Sequence, residues 1–265
     1  MKKNDNNKNS TKKVEKKKLT IKAIVYITLR LLTILCMVRQ LQMGNVMNAV
    51  LCVFVLVLFS VTAFMENKLN IEFPDLLEIC VWLFIFSAEI LGEINEFYLH
   101  IANWDLILHT TNGFIMAGIG YSLVELLNKN ENIHVTLSPI YVTICAICFS
   151  MTIGVLWEFF EYGVDNHLHM DMQKDTVVNT IRSVTLNEDG KNIVVEIPIE
   201  SVVVNGQDWV QQYGGYLDIG LHDTMEDLFV NFIGAVIFSV FGYLYTIGKG
   251  KYAGNFILRR KKKTE

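Results

Sequence analysis

The sequence predicts an all-α polytopic membrane protein: a six-helix transmembrane bundle with a small extracytoplasmic β-rich insertion between its fifth and sixth helices. Three observations carry this. Apolar residues make up 52% of the chain and gather in runs near the twenty or so residues that cross a bilayer. Both ends are basic, with nine lysines against Asp5 and Glu15 in residues 1–22 and Arg259-Arg-Lys-Lys-Lys263 at the other end. Between the last two apolar runs lies a polar stretch rich in turn residues and in Val and Ile.

Residues 1–18 are too Lys- and Asn-rich to bury a core and are expected to form a disordered cytoplasmic tail. The apolar run that follows carries Arg30 and lacks an Ala-x-Ala-like exit, which favours a retained anchor over a cleaved signal. The predicted spans are 19–38, 46–65, 76–92, 104–127, 137–160 and 229–247. The first five occupy 19–162, and the last belongs to a segment 223–248. Arg30 lies mid-span and needs a buried partner, for which Glu89 is one candidate. Residues 249–265 read as a second basic cytoplasmic tail.

The stretch 163–222 holds nine Asp and Glu against three Lys and Arg. Thr176–Leu186 and Ile193–Val204 alternate enough to predict a hairpin about the turn at 187–192, with a third strand near 209–217. Pro198 places the second strand at an edge or a bulge. His167 and His169, with Asp165 and Asp171, share a face only if that segment is extended; a polar surface loop is the plainer reading.

The five cysteines all lie in apolar runs, so no disulfide framework is implied. Cys145 and Cys148 have CxxC spacing but sit mid-helix, where packing accounts for them. Basic flanks beside membrane spans set orientation rather than bind nucleic acid. An even number of spans puts both basic ends on one side, the cytoplasm of a bacterial inner membrane, and the acidic stretch outside.

That parity gathers polar groups at the outer face. Asp105 and His109 open the fourth span, Glu158 and Glu161 close the fifth, and Asp223, Asp227 and Asn231 enter the sixth at helical spacing. Glu89, Glu93 and Glu96 end the third. Each group has a plainer account. Asp223 with Glu226 can be a capping box. Asp105 and His109 can be a simple i,i+4 pair, and Glu158 and Glu161 can be interfacial. Trp104 and Trp157 read as belt residues.

The alternative to four coincidences is one shared site formed by Asp105, His109, Glu158, Glu161, Asp227 and Asn231. Its carboxylates and imidazole suit a divalent metal ion held by Asp105, His109, Glu158, Glu161 and Asp227. The same groups suit general acid–base chemistry.

Trp104-Asp105-x-x-x-His109 with Gly113, Trp157-Glu158-x-x-Glu161, and Asp223-Thr-Met-x-Asp227-x-x-x-Asn231-x-x-Gly234 resemble the YjdF-like family of bacterial inner-membrane proteins. The chain is also similar, more remotely, to VanZ-like proteins associated with glycopeptide resistance, from which Glu161 and the long insertion depart. The resemblance implies a helical membrane bundle and brings no established activity.

Three functions follow as expectations. One is a metal-binding membrane enzyme acting on a lipid or cell-envelope precursor. The second is an ion-coupled transporter using Arg30 and Glu89. The third is a structural or sensory protein whose external element binds a partner. Beyond the lipid bilayer, no partner is specified.

Overall fold

The computed structural model describes residues 20–128 and 137–261. The predicted N-terminal tail, most of the link after Asn128 and residues 262–265 lie outside them.

Thr20 caps α1 (Ile21–Gln42), its hydroxyl accepting the Ala23 N–H at 3.3 Å. α2 (Val46–Leu58) and α3 (Val61–Leu69) are separated by a turn at Phe59–Ser60. The freed Phe59 carbonyl accepts the Trp82 indole N–H at 3.1 Å, so the break leaves no bare carbonyl there. Arg30 donates to the Tyr26 hydroxyl and, at 3.2 Å, to the Leu56 carbonyl. Its partners are therefore on α1 and α2, and Glu89 is not among them.

After β1 (Ile71–Glu72), α4 (Asp75–Ile85) runs directly into a π-helical segment, Phe86–Ile94. A short α5 (Phe97–His100) leads to α6 (Trp104–Asn128). α7 (Pro139–Leu168) starts on a Ser138 cap with proline in its first turn. It continues eight residues beyond the predicted end and stops at His169, which adopts a left-handed conformation (φ 56°). Asp165 and His167 are thus helical, and the extended metal-binding arrangement with His169 and Asp171 does not form. Asp165 instead accepts the backbone N–H groups of Met172 and Gln173, at 2.7 and 2.9 Å.

The insertion contains β2 (Thr176–Val178), β3 (Thr180–Ser183), β4 (Val195–Pro198), β5 (Val203–Val204), β6 (Gln207–Asp208), α8 (Trp209–Tyr213) and β7 (Tyr216–Asp218). The predicted hairpin appears as β3 against β4, with Ile181 opposite Ile197. Pro198 ends its strand, where a missing N–H does no harm. β2 pairs instead with β7. Most of the predicted third strand is helical, because Asp208 caps α8 by accepting the Val210 N–H at 3.0 Å.

α9 (Leu221–Thr246) follows Gly220, whose φ of 139° excludes other residues at low strain. The capping-box reading of Asp223 and Glu226 is corrected here. Asp218 accepts the His222 N–H at 2.9 Å, while the Asp223 carboxylate turns away to the Lys174 N–H at 2.7 Å.

The predicted C-terminal tail packs back as far as Lys261. β8 (Arg259–Arg260) pairs with β1, the Leu258 N–H donates to the Ser122 hydroxyl at 2.9 Å, and Ala253, Ile257 and Leu258 are buried.

Among the described residues, four stretches are long and apolar enough to cross a membrane: α1, α2 with α3 (Val46–Leu69), α7 and α9. The third predicted span is divided between α4 and the π-helical segment. The fourth, α6, is diluted by its polar run His109-Thr-Thr-Asn112. Apolar packing forms two units, one of α1, α2 and α4, the other of α6, α7 and α9. Leu77, Ile115 and Leu258 join them. The chain is a helical, multi-pass membrane protein.

Candidate metal centre

Helical spacing loads one face of each of three helices: Asp105 and His109 on α6, Glu158 and Glu161 on α7, and Asp223, Asp227 and Asn231 on α9. Glycines one turn further along bring these faces together. A Cβ on Gly113 would land on the Asn231 carbonyl, and one on Gly234 would land on the Thr110 carbonyl. Gly154 leaves room for the Asn231 side-chain amide, 2.9 Å from where a Cβ would stand. Small residues of this kind let membrane helices pack backbone to backbone. The site therefore lies where α6 and α9 begin and α7 nears its end. Asp227 sits about 9 Å along the axis from Leu221.

His109 is the hub. Its Nε2 lies 3.5 Å from Asp105 Oδ1 and 3.4 Å from Asp227 Oδ2, and its Nδ1 lies 3.9 Å from Glu158 Oε1. His109, Glu158, Glu161 and Asp227 are all buried, and each brings one donor atom to within 4.8 Å of the others. Asp105, Asp223 and Asp227 form a second such group. Asp227 is 0% exposed, and neither of its oxygens makes a hydrogen bond within the described residues. Glu158 is buried too, with the Thr224 hydroxyl beside its carboxylate. Among the described residues, no Lys or Arg forms an ion pair with any member of either group.

Leaving one buried polar atom unbonded costs about 1–3 kcal/mol, and an unpaired charge costs more. The two unbonded oxygens of Asp227, with a Glu158 oxygen near the other nitrogen of the same imidazole, require either protons or a cation. Ligands at about 2.1 Å around a tetrahedral ion stand about 3.4 Å apart, close to the spacing around His109 Nε2. One imidazole with several carboxylates fits a borderline or hard divalent ion.

Of the six residues the sequence nominated, five come together: Asp105, His109, Glu158, Glu161 and Asp227. Asn231 lies one turn deeper and is committed elsewhere. Its Oδ1 accepts the Asn112 amide at 3.2 Å, and its Nδ2 donates to the Ser150 carbonyl at 3.4 Å. It holds α9 against α6 and α7 beneath the centre.

Trp157, read from the sequence as a belt residue, is exposed on α7 and donates its indole N–H to Glu161 Oε1 at 2.7 Å, fixing that carboxylate. Three other residues at the site, Asn112, Gln173 and Lys174, went unnoticed in the sequence. Asn112 was detectable, being one turn past His109. Gln173 and Lys174 carried no signal, because the return of the chain after α7 places them. Gln173 donates to the Thr224 hydroxyl at 2.6 Å, and the Lys174 ammonium lies 5.7 Å from the Tyr98 ring centroid. Burial, then the carboxylates of Asp105, Glu89, Glu93 and Glu161, raise the Tyr98 phenol above its ordinary pKa, marking the negative field at this end.

A shallow pocket lined by Glu72, Phe73, Asp75 and Arg259 lies beside β1 and β8. Its neighbour on α6 is Ser122, about 25 Å along that helix from Asp105. It shares nothing with the cluster.

The chain belongs to the family described as Predicted membrane protein (DUF2238), whose model matches residues 21–248. No curated protein and no solved structure matches it.

Proposed function

We propose that this DUF2238 protein is a divalent-metal-binding membrane protein that acts on lipid or cell-envelope head groups at the outer face of a bacterial inner membrane. The observation that carries the reading is fully buried Asp227, neither oxygen hydrogen-bonded, facing His109 together with buried Glu158. His109, Glu158, Glu161 and Asp227 would hold the ion, with Asp105 on the open side at 23% side-chain exposure. A bound divalent ion supplies Lewis-acid activation of water and of a phosphoryl or carbonyl oxygen. Asp105, the most accessible of the five, is the carboxylate that an entering head group or water would meet first.

The setting supports a head-group substrate. Leu156, Phe159, Phe160 and Tyr162 are exposed on α7 beside Glu158 and Glu161, as expected for a belt meeting lipid at the interface. Lys174 at the rim offers a cation to an anionic head group. The same proposal includes a six-span bundle, an extracytoplasmic insertion at 163–222, and both basic ends in the cytoplasm. It also includes the narrower kinship, YjdF-like rather than VanZ-like, carried by the three helix motifs.

Metal analysis of detergent-purified protein tests the reading. Wild type should carry a divalent ion that Asp227→Ala lacks. Wild-type protein that stays metal-free after incubation with Mn2+, Zn2+ and Fe2+ in turn would overturn it.

A further inference from the structure

We infer that the centre holds two divalent cations, with Asp227 bridging them. This rests on the metal-binding reading above and extends it. The donor groups His109–Glu158–Glu161–Asp227 and Asp105–Asp223–Asp227 share one member only, Asp227. That side chain is fully buried and both of its oxygens are free of hydrogen bonds. A structural carboxylate in such a place would have at least one oxygen engaged. Asp223 is oriented for this purpose. The Lys174 N–H occupies its Oδ2, which fixes the carboxylate on the side of α9 that Asp227 also faces.

Charge balance favours two ions over one. Ionised Asp105, Glu158, Glu161, Asp223 and Asp227 exceed one dication by three negative charges, whereas two dications leave an excess of one. Lys174, at the rim, matches that remainder. Buried charge at a membrane helix end is costly unless matched, so the second ion relieves a cost that the first leaves standing. Carboxylate-bridged ion pairs of this kind stand about 3.5–4 Å apart.

The test uses the full chain in detergent, stripped with chelator and titrated with Mn2+. Bound metal is counted by equilibrium dialysis, and magnetic coupling is read by electron paramagnetic resonance. Wild type should bind two equivalents and show the spectrum of an exchange-coupled pair. Asp223→Asn keeps an acceptor for the Lys174 N–H and should bind one equivalent, uncoupled; Asp105→Asn serves if that variant does not stay monodisperse. One uncoupled equivalent in wild type, or two in both variants, overturns the pair and leaves the single-ion reading standing. No binding in wild type overturns both.

Discussion

Replacing Asp227 by asparagine should change the sign of its effect on stability according to whether metal is present. Without metal, the wild-type side chain is a fully buried carboxylate with neither oxygen hydrogen-bonded. The amide is nearly the same size, carries no charge, and has an NH2 group that can donate to Asp105 or Glu158. Relief of one unbonded buried acceptor contributes about 1–3 kcal/mol. At roughly 2–4 °C per kcal/mol for a chain of this size, Asp227→Asn should melt about 2–12 °C above wild type in chelator. With divalent metal at about a thousand times its dissociation constant, wild type gains about 4.1 kcal/mol that the variant largely lacks, and the order reverses. Scanning fluorimetry in detergent, run in EDTA and in Mn2+, reads both states. A variant that melts below wild type by the same margin in both would refute the reasoning, because Asp227 would then be an ordinary packed residue.

Four further outcomes follow from the same geometry. Gly234→Ala drives a methyl onto the Thr110 carbonyl and should cost about 1–3 kcal/mol, whereas Gly163→Ala, inside α7 with nothing within 4 Å, should stabilise by up to about 1 kcal/mol; melting temperatures compare them. Trp157→Phe removes the bond that fixes Glu161 and should weaken metal binding about tenfold with little change in fold, as titration would show. Lys22→Met strips buried Glu78 of an ammonium 2.5 Å away and should cost about 3 kcal/mol, much of it recovered by adding Glu78→Leu; failure of that recovery would remove the ion-pair account. Joining Val178 to Tyr216 by a short turn deletes the outer insertion but keeps the β2–β7 ends, Gln173 and Lys174, and should leave metal stoichiometry unchanged.

The sequence made the cluster legible because its information is local and periodic. Residues four apart on a helix share a face, and counting spans put the three loaded faces at one end. What escaped it depends on contacts between segments distant in the chain. Asn231 has the spacing of a site residue, but Asn112 and the Ser150 carbonyl take up its amide, and neither pairing leaves a mark in local sequence. The capping of α9 was misread for a similar reason. Asp223 and Glu226 have the right spacing, yet Asp218 reaches the first turn before them and the Lys174 backbone claims Asp223. α7 continues past its predicted end because loss of hydrophobicity is not loss of helix; Glu161 to Leu168 are more polar and still helical. The C-terminal segment looked like a tail by charge, though Ile257 and Leu258 had enough apolar surface to return it to the bundle.

How this chain treats its other carboxylates argues against a purely structural cluster. At the opposite end, Glu78 is as buried as Glu158, but it faces the Lys22 ammonium at 2.5 Å and accepts the Thr62 hydroxyl at 2.6 Å. Glu66 accepts the Phe73 N–H at 2.8 Å, and Asp165 accepts two backbone N–H groups. Where a carboxylate serves only to hold the fold, it has a donor on hand. Trp157 shows that the site end can supply donors too, since it commits one to Glu161. Asp227 is left without and Glu158 has the Thr224 hydroxyl beside it, on helices held in register by glycine contacts. A polar network built only to bind helices together would satisfy its most buried members first, as Asn231 is satisfied one turn below. The pattern is reversed at Asp227, and one oxygen each of Asp105, Glu158 and Asp227 lies within 3.9 Å of one imidazole. That convergence is what a cation would select and what helix packing alone would not.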